Sequence, residues 1–278
     1  MKSILQSTVA LGILATASWG QRGWVQRHPS HNPGPRRGHA MAYDAARQQT
    51  VFFGGHSQWV NRGDTWTWDG TDWTERFPPA APSARRGHKM AYDATRGRVV
   101  LFGGFDTDYR ADTWEWDGTT WTQRFPATSP PARSEHALAD DAARGRIVLH
   151  GGQRATGGDL ADTWEWDGAD WTLRFPAHSP GVRSLHALAY DAARAKTLLF
   201  GGQPNNDRLW EWDGTDWALV SVLGNPSARQ NLGLVYDGAA GRTVLFAGSG
   251  FYDTWVPNRQ LARAARKIPA YRRRCAAV

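Results

Sequence analysis

Arg85–Phe125, RRGHKMAYDATRGRVVLFGGFDTDYRADTWEWDGTTWTQRF, is the stretch that decides the fold. Its opening alternates, with His88, Met90 and Tyr92 set to one side, and that period of two marks a strand. A turn over Asp93–Gly97 leads into Val99–Phe102. This run is apolar on both faces, as in a strand covered on both faces. Gly103-Gly104 ends it, and a short variable loop follows. Next come Asp112-Thr113-Trp114-Glu115-Trp116 and the pair Asp117-Gly118. Asp-Gly between alternating runs signals a hairpin, because a tight primed turn needs positive φ. Trp121-Thr122 starts a fourth run. One stretch therefore reads as four antiparallel strands.

The chain repeats this unit. The glycine pair recurs at Gly54-Gly55, Gly103-Gly104, Gly151-Gly152 and Gly201-Gly202, with a degraded copy at Ala247-Gly248. The first positions are spaced by 49, 48, 50 and 46 residues. Periods of this size mean stacked repeats, each unable to bury its own apolar faces alone. First strands read as His39–Tyr43, His88–Tyr92, His136–Asp140, His186–Tyr190 and Leu232–Tyr236. The last unit has Asp253-Thr254-Trp255 but no Asp-Gly turn and no closing tryptophan strand. Trp24–Arg27 looks like a fourth strand without its first three, so it is expected to complete that last unit and remove free edges. The expected fold is all-β: a β-propeller of about five four-stranded blades over residues 24–256, closed by an N-terminal strand.

The period near 50, the Arg-x-x-His starts, the apolar runs into Gly-Gly and the spaced tryptophans resemble the kelch family of β-propellers. The resemblance extends to the galactose-oxidase-type central domain. It implies that first-strand starts and post-Gly-Gly loops share one face around a central depression. Kelch propellers commonly have six or seven blades. Two readings stay open: a compact five-bladed ring, or a chain that has lost blades through truncation or a frameshift. The copper chemistry of the galactose-oxidase type needs a cysteine crosslinked to a tyrosine, and Cys275, the one cysteine, lies beyond the last repeat. The copper-site residues are not carried over, and neither a cofactor nor a metal is expected.

Composition narrows the partners. The formal net charge is +7, yet seven basic residues and no acids lie within 257–278. The rest of the chain is neutral, which argues against nucleic acid as the partner of the propeller. Residues 257–278 read as a basic, disordered tail. Residues 1–17 read as a signal peptide, with Lys2, the apolar run Val9–Ala15 and small residues at Ala15-Thr16-Ala17. The apolar run is too short to span a membrane. A secreted or periplasmic, monomeric protein is the expectation. All tryptophans except Trp19 and Trp59 fall at repeat positions, so most are expected to pack between blades.

The candidate site follows from what recurs and what varies. Arg36, Arg85, Arg133, Arg183 and Arg229 stand three residues before each first strand's opening position. Beside them come Arg37 and Arg86 in two copies, and Ser134 and Ser184 in two others. A guanidinium presents a fork of donors that matches a carboxylate or phosphate. The resemblance would arrange these side chains around one mouth suited to anionic groups. The alternative is structural pairing with a neighbouring blade's aspartate, since Asp64, Asp112, Asp162 and Asp253 also recur. The histidines His39, His88, His136 and His186, one per blade, would be spread too widely to ligate zinc. Trp59 and Tyr109, with Phe105 and Phe251, sit in variable loops and are candidates for carbohydrate or peptide contact. No nucleophile-and-base motif, phosphate loop or carboxylate pair stands out, so no catalytic residue is assigned. The favoured reading is a secreted, non-catalytic propeller that binds protein or carbohydrate. A carbohydrate-active enzyme on the same fold and a truncated remnant remain the alternatives.

Overall fold

A computed structural model describes residues 26–204, 206–221 and 224–256. The chain forms a five-blade β-propeller of antiparallel sheets. The first blade holds β1 (Ala40–Asp44), β2 (Gln49–Ser57), β3 (Val60–Trp68) and β4 (Trp73–Arg76). The second holds β5 (Lys89–Asp93), β6 (Arg98–Phe102), β7 (Thr113–Trp116) and β8 (Trp121–Arg124). The third holds β9 (Ala137–Asp141), β10 (Arg146–His150), β11 (Thr163–Trp166) and β12 (Trp171–Arg174). The fourth holds β13 (Ala187–Asp191), β14 (Lys196–Phe200), β15 (Leu209–Trp212) and β16 (Trp217–Val220). The fifth has three strands among the described residues: β17 (Gly233–Asp237), β18 (Arg242–Gly248) and β19 (Phe251–Trp255). The expected closing strand falls partly outside the described residues. Trp24 and Val25 are not described, and Gln26 and Arg27 carry no strand. The readings of a signal peptide over 1–17 and a basic tail over 257–278 also lie outside them.

The second strand of each blade explains the packing. In β6, Val99 and Leu101 face the first blade and join Ala40, Ala42, Val51 and Phe53 in one core. Val100 and Phe102 face the third blade and join Leu138, Ile147 and Leu149. A run apolar on both faces thus serves two interfaces. The repeat tryptophans finish each one. Trp116 and Trp121 lie opposite each other in the β7–β8 register and are fully buried. A buried aromatic of this kind covers about 150–250 Å². Trp121 Nε1 also donates across the interface to Thr65 Oγ1 at 3.0 Å, and Trp171 and Trp217 repeat that bond to Thr113 and Thr163 at 2.9 Å. These rings are packing residues and offer no stacking surface.

The Asp-Gly turns differ from the tight primed type expected. Asp117–Thr120 is a four-residue loop, in which Asp117 Oδ1 accepts from the backbone of Thr119 and Thr120 at 2.8 and 2.9 Å. The glycine is still required, since Gly118 has a φ of 100°. The Gly-Gly pair is required by close approach as well. The backbone N–H of Gly104 donates to Arg133 O of the next blade at 2.8 Å. A Cβ on Gly104 would stand 2.8 Å from His88 Cβ.

The seam between the fifth and first blades is unlike the other four. The inner strands pack in series, β1 on β5, β5 on β9, β9 on β13 and β13 on β17. No comparable packing joins β17 to β1 among the described residues. A chain of backbone hydrogen bonds circles the axis from Gly38 O through Gly87, Glu135 and Leu185 to Asn231 N. Among the described residues, no bond from Gly38 N to Asn231 O completes it. Met41 is accordingly 51% exposed, whereas its counterpart Met90 is 7% exposed.

Candidate functional site

Strand direction gathers the variable parts on one face. First strands run away from this face, second strands return to it at Gly-Gly, and fourth strands return to it again. Isolated bridges fix the arrangement. Arg37 pairs with His56, Arg86 with Phe105, Ser134 with Gln153 and Ser184 with Gln203. Each bridge ties the residue after a blade's arginine to the residue after its Gly-Gly. The first-strand starts and the post-Gly-Gly loops therefore lie side by side.

The recurring arginines turn into their own blades, and the partner aspartate is in the same blade, not a neighbouring one. Arg85 Nη1 and Nη2 donate to Asp112 Oδ1 and Oδ2 at 2.6 and 2.8 Å. Arg133 does the same to Asp162, both at 2.7 Å. Arg36 Nη1 donates to Asp64 at 2.6 Å, and Arg229 pairs with Asp253 through both nitrogens. Each aspartate also accepts a tryptophan N–H, from Trp66, Trp114, Trp164 or Trp255, at 2.7–2.8 Å. Burial pushes the carboxyls of Asp112 and Asp162 up. Hydrogen bonding and charge from Arg85 and Arg133 more than offset this, so both titrate below the usual carboxylate range. Four of the five forks are thus engaged inside the fold, and Arg85, Arg133 and Arg229 are buried.

Arg183 is the exception. It is 1% exposed, and the fourth blade has Arg208 where the others have the aspartate. Its acceptors among the described residues are the backbone carbonyls of Pro180, Gly181 and Gly201. Burial alone pushes the guanidinium down to about 10, so it remains a cation at neutral pH. Trp210, the counterpart of Trp114 and Trp164, has a buried Nε1 with no hydrogen-bond partner among the described residues. Arg208 and Trp210 are not among the sequence candidates. Aligning the four aspartates shows the signal, since the fourth copy reads Arg208-Leu209-Trp210 in place of Asp-Thr-Trp.

The remaining candidates divide by exposure. Ser134 and Ser184 are buried, and Ser184 Oγ accepts from Gln153 Nε2 of the preceding blade at 3.4 Å. Arg86 is half-buried, stacks over Phe105 at 5.0 Å and approaches His56 Nδ1 at 3.4 Å. Tyr109 packs edge-on against Phe105 at 5.3 Å. Trp59 stands at the tip of the long β2–β3 hairpin, 92% exposed. Phe77, Phe125 and Phe175 follow the fourth strands of three blades and are almost as exposed. The β3–β4 register sets Arg76 opposite Thr65, next to Asp64, so Phe77 emerges on the loop face. The sequence carries these rings as the Phe-Pro repeated after the fourth strands of blades one, two and three, a position that by itself marks only a strand end.

Near the axis, Lys89 Nζ lies 3.6 Å from Glu135 Oε2 of the next blade. The buried histidines His136 and His186 are held neutral by desolvation, helped by the nearby charges of Arg133 and Arg183. Their rings wedge against glycines of the preceding blade, with His136 Cε1 3.3 Å from where a Gly103 Cβ would sit. No three His, Cys, Asp or Glu side chains converge to hold a metal ion among the described residues. No helix of the described residues is long and apolar enough to cross a membrane. The sequence matches no protein-family model and no curated protein.

Proposed function

We propose that this chain is a secreted, non-catalytic, kelch-type propeller that binds a protein or a glycan through the loop face. The observation that carries the reading is the set of exposed rings on that face, Trp59, Phe77, Phe125 and Phe175. Exposed aromatics gathered on one surface mark interaction sites more often than scattered apolar residues do. In a loop on the same face, Arg86 stacks over Phe105 and Tyr109 packs edge-on against that ring. The post-Gly-Gly loops, with Trp59 in one of them, differ from blade to blade while the packing tryptophans stay constant, which is how a site is placed on a common scaffold. The kelch and galactose-oxidase-type likeness rests on the repeat residues and enters as part of this proposal.

The test is a glycan array and a pull-down with the mature chain, each repeated with Trp59→Ala and Phe125→Ala. Selective capture that both substitutions weaken supports the reading. Capture unaffected by either substitution, or turnover of a captured sugar, contradicts it.

A further inference from the structure

We propose that the fourth blade carries a binding site for a single carboxylate group, formed by Arg183 and Trp210 at the position that an aspartate occupies in the other blades. The inference does not rest on the aromatic-rim reading above. It starts from repetition. In blades one, two, three and five, an arginine and a tryptophan converge on an aspartate of their own blade. The arrangement uses the planar guanidinium as a fork for two oxygens, the geometry that suits carboxylates best. The fourth blade keeps the arginine and the tryptophan and has Arg208 in place of the acid.

Three independent features point to an anion there. Arg183 is buried with only backbone carbonyls as acceptors among the described residues, which leaves part of its fork of donors unused. The Trp210 indole N–H is buried without an acceptor among them. Arg208 is exposed and adds a second positive charge beside the position. A buried cation without a counter-charge is costly, and an anion taken from solvent relieves that cost. The position is reachable, because Asp112 and Asp162 at the same place are about one-fifth solvent-exposed. The neighbouring strand edge is also looser. β14 and β15 pair from Thr197–Trp212 to Leu199–Trp210, and the rung seen between Phe102 and Thr113 has no counterpart. Asp207 is exposed and is not among the ion pairs of the described residues.

The ligand chemistry is one carboxylate, either a free small acid or the acid group of a uronic sugar. Thermal unfolding of the full chain is followed in acetate, glucuronate and chloride at matched pH and ionic strength. A ligand that binds only the folded chain raises Tm in a saturable way. Acetate is expected to raise the wild-type Tm above chloride. Arg208→Asp is expected to raise Tm in chloride and to shift the acetate half-effect at least tenfold to higher concentration. A glucuronate response equal to acetate assigns the site to acid groups of larger ligands, and a response to acetate alone assigns it to free small acids. Asp207→Asn should leave the acetate response unchanged. Equal effects of acetate and chloride overturn the proposal. So does a wild-type acetate response in Arg208→Asp, or one that appears only in Asp207→Asn. Trp210→Phe weakens the acetate half-effect and keeps the test decisive if Arg208→Asp does not fold.

Discussion

Blades three and four have the same strand order and the same tryptophan packing, yet they treat one arginine differently. Arg133 meets Asp162 through two bonds of 2.7 Å, and Trp164 donates to the same carboxylate. Arg183 meets backbone carbonyls, and the Trp210 N–H has no acceptor among the described residues. Both arginines tie the blade's first-strand start to its Gly-Gly carbonyl, Gly151 O in one case and Gly201 O in the other. The backbone tie is therefore what the fold requires. The carboxylate completes the charge balance and is absent from one blade without loss of the strands around it.

The largest expected effect breaks the pair where it exists. Asp162→Ala strands a buried guanidinium and should destabilise the chain by about 3–5 kcal/mol in urea denaturation. Arg183→Met strands no opposite charge and gives up only bonds to backbone carbonyls, so its cost should be about 1–3 kcal/mol, below that of Asp162→Ala. Equal losses in the two blades would contradict the distinction.

Restoring the pair should show a smaller effect of opposite sign. Arg208→Asp is expected to stabilise by about 1.5–3 kcal/mol, the usual range for hydrogen bonds to a charged group. A loss of stability would mean that β15 cannot bring an aspartate to the Arg183 fork.

A third contrast lies between blades two and three, at the hydroxyl of Tyr92 and the carboxyl of Asp140. Tyr92 OH accepts from the backbone N–H of Ala46 at 3.2 Å, and Asp140 Oδ2 accepts from that of Ala94 at 3.1 Å. Burial raises the Asp140 carboxyl to about 7, against the usual value of 3.8. Because the folded value lies above the unfolded one, its stabilising contribution is complete below pH 3.8 and is lost as pH rises through 7. Asp140→Asn keeps an acceptor without the charge. It should stabilise by about 1–3 kcal/mol at about pH 8 and by nothing near pH 4, measured by urea denaturation across that range. An equal gain at both pH values would remove the titration from the account.

The smallest stability effect belongs to the rim. Trp59→Ala should change stability by less than about 0.5 kcal/mol while lowering ligand capture, since the ring touches little of its own blade. A large destabilisation would make Trp59 a packing residue.

The sequence carried the blade well because period-two alternation, glycine pairs and paired tryptophans are local signals that recur along the chain. Val99–Phe102 reads as buried on both faces, and that is where two cores meet. The arginines are harder, because a guanidinium suited to a ligand carboxylate is equally suited to Asp112 or Asp162, and only distances separate the two uses. The seam is illegible for a related reason. Met41 and Met90 occupy the same repeat position, and only the presence or absence of a neighbouring blade sets their exposure. The exposed Phe77, Phe125 and Phe175 are visible as letters, but a regular position suggests packing, whereas the structure turns these rings outward.

A crystal structure of the chain grown in formate, beside one of Arg208→Asp, tests the central claim most directly. In the wild type, a planar carboxylate should lie with oxygens about 3 Å from Arg183 Nη and Trp210 Nε1, and in the variant the introduced aspartate side chain should take the same place. Donors of Arg183 and Trp210 satisfied by Asp207 or by backbone, with no carboxylate between them, would contradict it.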